Sequence, residues 1–213
     1  MKNLLDIVNF NADASCLDSK IWLQVISGGE NSLFCQWLKL YINSEQKIIL
    51  GLTGATIADL IYYNNEAIKL INTNPKIFEI IIRSFSHDIS LLRSKNGFKE
   101  NLLKGYKIIK NEFNNVALYY LPTEFMLTNE QVSILCDFGI RGVFVNSKRF
   151  NIESANKIPK VPYLISGIFD KKITCYPVFG KLTDDYLNSL HLWNNDDWNN
   201  NIINSKTNNI FSW

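Results

Sequence analysis

The sequence is short of the features that most directly announce a function. Its four cysteines, Cys16, Cys35, Cys136 and Cys175, stand far apart with no Cys-x-x-Cys pair. That spacing excludes a zinc ribbon and a disulfide frame, and the cysteines are expected to be reduced core residues. No apolar run approaches the roughly 20 residues that span a bilayer. The opening stretch MKNLLDIVNFNAD is interrupted by Asp6, too early for a signal-peptide core, so a soluble, cytoplasmic protein is expected. Excess charge of one sign is missing too: the formal net charge is +2 and the lysines are scattered. Neither nucleic acid nor an anionic membrane is therefore an expected partner. Gly54 stands alone with no lysine behind it, which does not support a phosphate-binding loop. There are no internal repeats.

What is present is a length of 213 residues with 46% hydrophobic content, enough for one substantial core. A single α/β domain is expected over residues 1–193. From Asn194 onward the chain is polar, rich in asparagine and poorly periodic, and reads as a loose tail or the start of a further region.

Up to residue 146, apolar strand-like runs alternate with amphipathic helical stretches. Strands are expected at Leu4–Asn11, Lys47–Leu52, Ile77–Arg83, Val116–Leu121 and Val143–Val145. Between them, Leu33, Phe34, Trp37, Leu38 and Tyr41 recur at helical spacing, as do Ile57, Leu60 and Ile61. Leu102, Leu103, Tyr106, Ile109 and Phe113 form a third stripe, opposite a face of solvated lysines. After Ile61 the helix continues over Glu66–Ile71 until Asn74-Pro75 breaks it. The stretch from Val116 to Asn146 states the unit most fully. A buried strand closes at Pro122, Thr128 caps a helix with Gln131 three residues on, and Gly139 ends it. Further on, Val161–Phe169 and Ile173–Phe179 flank Asp170-Lys171-Lys172 and read as an antiparallel hairpin. Thr183 is expected to cap a last helix carrying Tyr186, Leu187 and Leu190.

This alternation predicts an α/β fold, a distorted and incompletely closed (β/α)7-type parallel barrel with a β-hairpin insert. In such folds the reactive groups follow the carboxyl ends of the strands. Asn11 and Asp13 follow the first expected strand, His87 and Asp88 the third, and Glu124 the fourth. Their side chains are expected to line one pocket.

Several of these segments resemble glycoside hydrolase family 57 and, more widely, the glycoside hydrolase and polysaccharide deacetylase superfamily. Ser86-His87-Asp88-Ile89-Ser90-Leu91-Leu92 is similar to a family segment with His, two prolines and apolar residues, although both prolines are absent here. Leu121-Pro122-Thr123-Glu124 is similar to the element whose glutamate is the nucleophile. Leu135, Gly139, Ile140 and Val145 follow the family's next helix and strand, and Tyr163–Phe179 looks like its hairpin insert. Together the likeness runs over residues 4–190. The chain departs from the family in having Asn9-Phe10-Asn11 where the family has His-Gln-Pro, and no counterpart of the general-acid Asp stands out.

The resemblance implies an enzyme acting on an oligosaccharide or polysaccharide by a retaining mechanism. Glu124 and Asp13 would be catalytic, Asn11, His87 and Asp88 would bind substrate, and no cofactor or metal would be required. Two alternatives stay open. A metal-dependent deacetylase of the superfamily would use a catalytic Asp on the first strand, where Asp13 stands, but it needs two nearby histidines, and His87 and His191 are far apart. A sugar-binding or scaffold domain could keep the fold without the chemistry.

Overall fold

The computed structural model describes residues 5–10, 19–146, 162–178 and 210–212. In chain order these form β1 (Leu5–Phe10), α1 (Ser19–Ile26), α2 (Leu33–Ser44), β2 (Ile48–Leu52), α3 (Gly54–Tyr63) and α4 (Asn65–Thr73). There follow β3 (Phe78–Ile82), α5 (Lys95–Glu112), β4 (Val116–Tyr120), α6 (Asn129–Asp137) and β5 (Gly142–Asn146). The hairpin strands β6 (Tyr163–Ser166) and β7 (Lys172–Val178) and the short β8 (Ile210–Ser212) complete the set.

All eight strands lie in one sheet, in the order β6-β7-β5-β4-β3-β2-β1-β8. From β1 to β5 each strand pairs in parallel with its successor, with none of the reversal that marks a doubly wound sheet. The two faces differ accordingly. Buried residues of all six helices share one cluster with Ile48, Leu50, Leu52, Phe78, Ile80, Ile82, Val143, Val145, Ile173 and Cys175. Residues of opposite parity, Ile49, Ile81, Leu121, Phe144 and Val178, form a second cluster, joined by Phe125 from the turn after β4 and, among the described residues, by none of α1–α6. Helices outside and side chains inside are the arrangement of a barrel. Cα atoms of β7 and β8 come within 8 Å of one another without a ladder between them, so the barrel is not closed by hydrogen bonds.

The local signals act as their chemistry requires. Thr53 Oγ1 accepts from Thr56 N at the start of α3, and Ser94 Oγ accepts from Gly97 N at the start of α5. At α6 both halves of the capping box form, Thr128 Oγ1 accepting from Gln131 N and Gln131 Oε1 accepting from Thr128 N. Gly139 takes φ +71°, the left-handed conformation that ends a helix without a Cβ penalty.

Three expectations are corrected. The hairpin exists, with β6 and β7 antiparallel, but β7 pairs in parallel with β5 over five residues, so it is a barrel strand and only β6 is added outside it. Strand β4 is buried on both faces only at Tyr120, its first four residues being half-buried. Its ladder to β5 is short, Tyr119 to Gly142 and Tyr120 to Val143, and its register with β3 shifts between Ile81 and Ile82. Helix α1 lies where no helix was expected. Of the tail, Ile210–Ser212 pairs in parallel with β1. Asn11, Asp13, residues 148–161 and the helix expected after Thr183 lie outside the described residues. No described helix is long and apolar enough to cross a membrane.

Candidate functional site at the strand exits

Of the predicted site residues, the structure describes His87 and Asp88 after β3 and Glu124 after the neighbouring β4. The segment after β3 is clamped from two sides. Gly54 N and Ala55 N, at the start of α3, donate to Ser84 O and Phe85 O at 3.2 and 2.8 Å. On the other side α5 presses so close that a Cβ on Gly105 would lie 2.2 Å from Arg83 O. Only a glycine permits that approach.

Beyond the clamp a side-chain network shapes the loop that carries His87. Asn101 Oδ1 accepts from Ser86 N and Ser86 Oγ at 2.9 and 3.0 Å, while Asn101 Nδ2 donates to Asp88 Oδ1 at 2.9 Å. The other oxygen of Asp88 is ion-paired with Arg93. The Asp88 carboxylate is thus engaged inside its own loop, behind His87. His87 meets a residue that the sequence reading passed over: Arg83 Nη2 lies 3.0 Å from His87 Nδ1.

Arg83 follows β3 with the parity of Ile81, which turns its side chain to the interior, and only 1% of its surface is exposed. Its Nη1 is buried with no hydrogen-bond partner. Burial lowers its pKa to about 10, and the opposing influence comes from the Tyr120 hydroxyl; among the described residues no carboxylate offsets the charge. Tyr120, itself fully buried, shares a hydrogen bond of 2.9 Å with Ser84 Oγ, which ties the ends of β3 and β4. Burial is also the main reason that the phenol of Tyr120 is raised above its ordinary pKa.

Glu124 lies in a single helical turn, Thr123–Phe125, directly after β4 and the buried Leu121, Pro122 and Thr123. Its own φ is +55° and that of Phe125 is +56°. Two successive non-glycine residues in the left-handed region cost on the order of 1 kcal/mol each or more, and such outliers cluster at functional sites. The half-buried Phe125 ring packs on the interior cluster and anchors the turn, leaving Glu124 half-buried at its apex.

The loops of His87 and Glu124 are joined. Ser90 Oγ donates to Met126 O at 3.4 Å, and Gln131 Nε2 donates to Ser90 O at 2.8 Å. Gln131 therefore caps α6 with its oxygen and grips the His87 loop with its nitrogen. Beneath these exits Tyr119, Phe144 and Tyr176 bring their ring centroids within 5.5–5.9 Å of one another and fill the barrel. Among the described residues no group of three His, Cys, Asp or Glu side chains could hold a metal ion.

Arg83 and Asn101 were missed by sequence reasoning. Arg83 had a weak signal, an uncompensated charge in register with the apolar positions of its strand. Asn101 had none, because its partners lie 13 and 15 residues away across a loop.

Several solved structures share this fold. The 4-α-glucanotransferase from Thermococcus litoralis superposes with a TM-score of 0.74 at 14% identity, covering 99% of this chain and 32% of that one. An exo-type maltose-forming amylase from Pyrococcus sp. ST04 gives 0.61 at 10% identity, covering 99% and 41%. A CE4-family pseudoenzyme from Bacillus anthracis gives 0.52 at 12% identity, covering 99% and 63%. The chain thus spans less than two thirds of each of these neighbours, and at such identities the likeness is one of fold. No protein of curated function matches the sequence. A model of glycosyl hydrolase family 57 matches residues 11–187, and the chain belongs to that family.

Proposed function

We propose that this domain acts on an oligosaccharide or polysaccharide by a retaining mechanism in which Glu124 is the nucleophile. The observation that carries this reading is the Glu124 turn: a carboxylate at the end of a barrel strand, on a backbone held left-handed at two successive residues. Family membership supplies the substrate class. In the first step a Glu124 oxygen forms a bond to the anomeric carbon as the glycosidic C–O bond breaks, and an acid gives its proton to the departing oxygen. In the second step water, or a sugar hydroxyl in a transferase, displaces Glu124 and returns a proton to that acid. The acid must stand roughly 5 Å from Glu124. Asp13 is the candidate second catalytic carboxyl; Asn11 and His87 hold sugar hydroxyls, and Asp88 acts behind His87 by shaping its loop.

The test is turnover of α-linked oligosaccharides and N-acetylated glycans by the purified protein and by Glu124→Gln, each with and without a chelator. The amide cannot form the glycosyl intermediate, so turnover should fall by a factor on the order of 10³ or more while the fold and sugar binding persist. Turnover unchanged in Glu124→Gln would sink the mechanism. Glycan binding with no turnover in the unaltered protein would identify a sugar-binding domain, and loss of deacetylation to the chelator would identify a metal-dependent deacetylase.

A further inference from the structure

A buried arginine ordinarily comes with a carboxylate and with all its N–H groups bonded, because an isolated charge in the interior is costly. Arg83 has neither: its Nη1 is unpartnered and no described carboxylate acts on it. Among the described residues its side chain bonds His87 Nδ1, at 3.0 Å from Nη2.

We propose that Arg83 is a positioning residue that holds His87 in the tautomer with its proton on Nε2. This rests on the reading of His87 as a sugar contact and says which atom makes that contact. A guanidinium has five N–H donors and no acceptor, so the ring nitrogen facing it must supply a lone pair. Nδ1 is therefore unprotonated and the ring proton sits on Nε2. A proton on Nδ1 would set donor against donor.

Neither partner is free to turn away. The Arg83 stem is packed so closely that a Cβ on Gly51 would lie 3.2 Å from its Cδ and 3.0 Å from Leu121 Cδ2. Its main chain is pressed by α5 at Gly105, and the next two carbonyls are bonded by the start of α3. On the His87 side Asn101 grips Ser86 and Asp88, the residues to either side. Fixed backbones at 83 and 87 and a donor-only group between them determine one tautomer. His87 then presents a single N–H, suited to the oxygen of a sugar hydroxyl.

The test is a long-range proton–nitrogen spectrum of the uniformly 15N-labelled chain at neutral pH. With only two histidines in the sequence, His191→Gln assigns the signals. The expected result is a His87 ring with a protonated Nε2 and a lone-pair Nδ1. In Arg83→Met the ring should pass to a mixture of tautomers and Arg83→Lys should restore part of the Nε2–H form, while KM for a responding glycan should rise by the reciprocal of the Nε2–H fraction, about twofold, with kcat less affected. A proton on Nδ1 of His87 in the unaltered protein overturns the proposal, whether or not the Arg83 variants fold. So does an unchanged tautomer in folded Arg83→Met. Because the spectrum is read without substrate, failure of the glycan reading and failure of this assignment are separate results.

Discussion

The loops leaving β3 and β4 stand side by side at one end of the barrel, and they hold their residues by opposite means. The β3 loop relies on partners: two helices clamp its backbone, Asn101 and Arg93 hold its side chains, and none of its residues has a positive φ. The β4 loop relies on strain, with Glu124 and Phe125 both left-handed and the half-buried Phe125 ring packed on the interior cluster. A loop held by partners fails when a partner is removed; a strained loop is relieved when its Cβ atoms are removed. The sign of a substitution's effect should therefore differ between the two.

The largest effect is expected at the clamp. Gly105→Ala would set a Cβ 2.2 Å from Arg83 O and 2.7 Å from Phe85 N, contacts with main chain that cannot rotate away. Denaturant unfolding should show a loss of about 3 kcal/mol or more. A loss under about 1 kcal/mol would mean that α5 can shift at little cost, and the clamp would not explain the loop.

Next comes Asn101→Ala, which leaves Ser86 N and Asp88 Oδ1 without their partner. About 2 kcal/mol of stability should go with it, since buried polar groups left unpaired carry their full desolvation cost. Faster amide exchange at Ser86 would locate the loss in the His87 loop. An equally protected Ser86 amide would transfer the credit from the network to the helix clamp.

Arg83 is an exception within its own loop, a partner that costs stability. Its proton is bound less tightly in the fold than in the unfolded chain, so its charge opposes folding at neutral pH. That opposition is relieved as the pH rises through about 10. Arg83→Met should therefore be more stable than the parent, by about 1 kcal/mol once the lost bond to His87 is set against the removed charge. The gap should be constant across neutral pH and narrow above about pH 10, which denaturation midpoints on either side of that value would check. A destabilised Arg83→Met at neutral pH would show that the guanidinium is a structural asset.

The smallest effect, and the sharpest contrast, is Glu124→Gly. Removing a Cβ at φ +55° should raise stability by up to about 1 kcal/mol while abolishing turnover under the proposed mechanism. Ser86→Gly, in the loop held by partners, should lose stability because Ser86 Oγ bonds Asn101 and Arg93. Equal signs at the two positions would erase the distinction between the loops.

Much of the scaffold of the site was legible in one dimension. The placing of β2, β3, β4 and β5, the cap at Thr128 and the stop at Gly139 all depend on residues within a turn or two of one another. Local propensity and hydrogen bonding decide those. The same reasoning set His87 and Glu124 at strand exits, because a run of apolar residues ends where polar ones begin. Helix α1 escaped it, as did the parallel pairing of β7 with β5, since a hairpin's first strand and turn say nothing about which further edge its second strand will join.

By itself the sequence determined that strands and helices alternate, where most of them begin and end, and which carboxylate and histidine fall at the exits. Only the tertiary structure decided that Arg83 faces His87 with no counter-charge among the described residues, that Asp88 is engaged by Asn101 and Arg93, and that Gln131 binds the His87 loop from the neighbouring helix. The reason is physical. Periodicity reports which face a side chain takes, but its partner there depends on the register between strands and on how closely a helix such as α5 can approach. That distance is set by the packing of residues far apart in the chain.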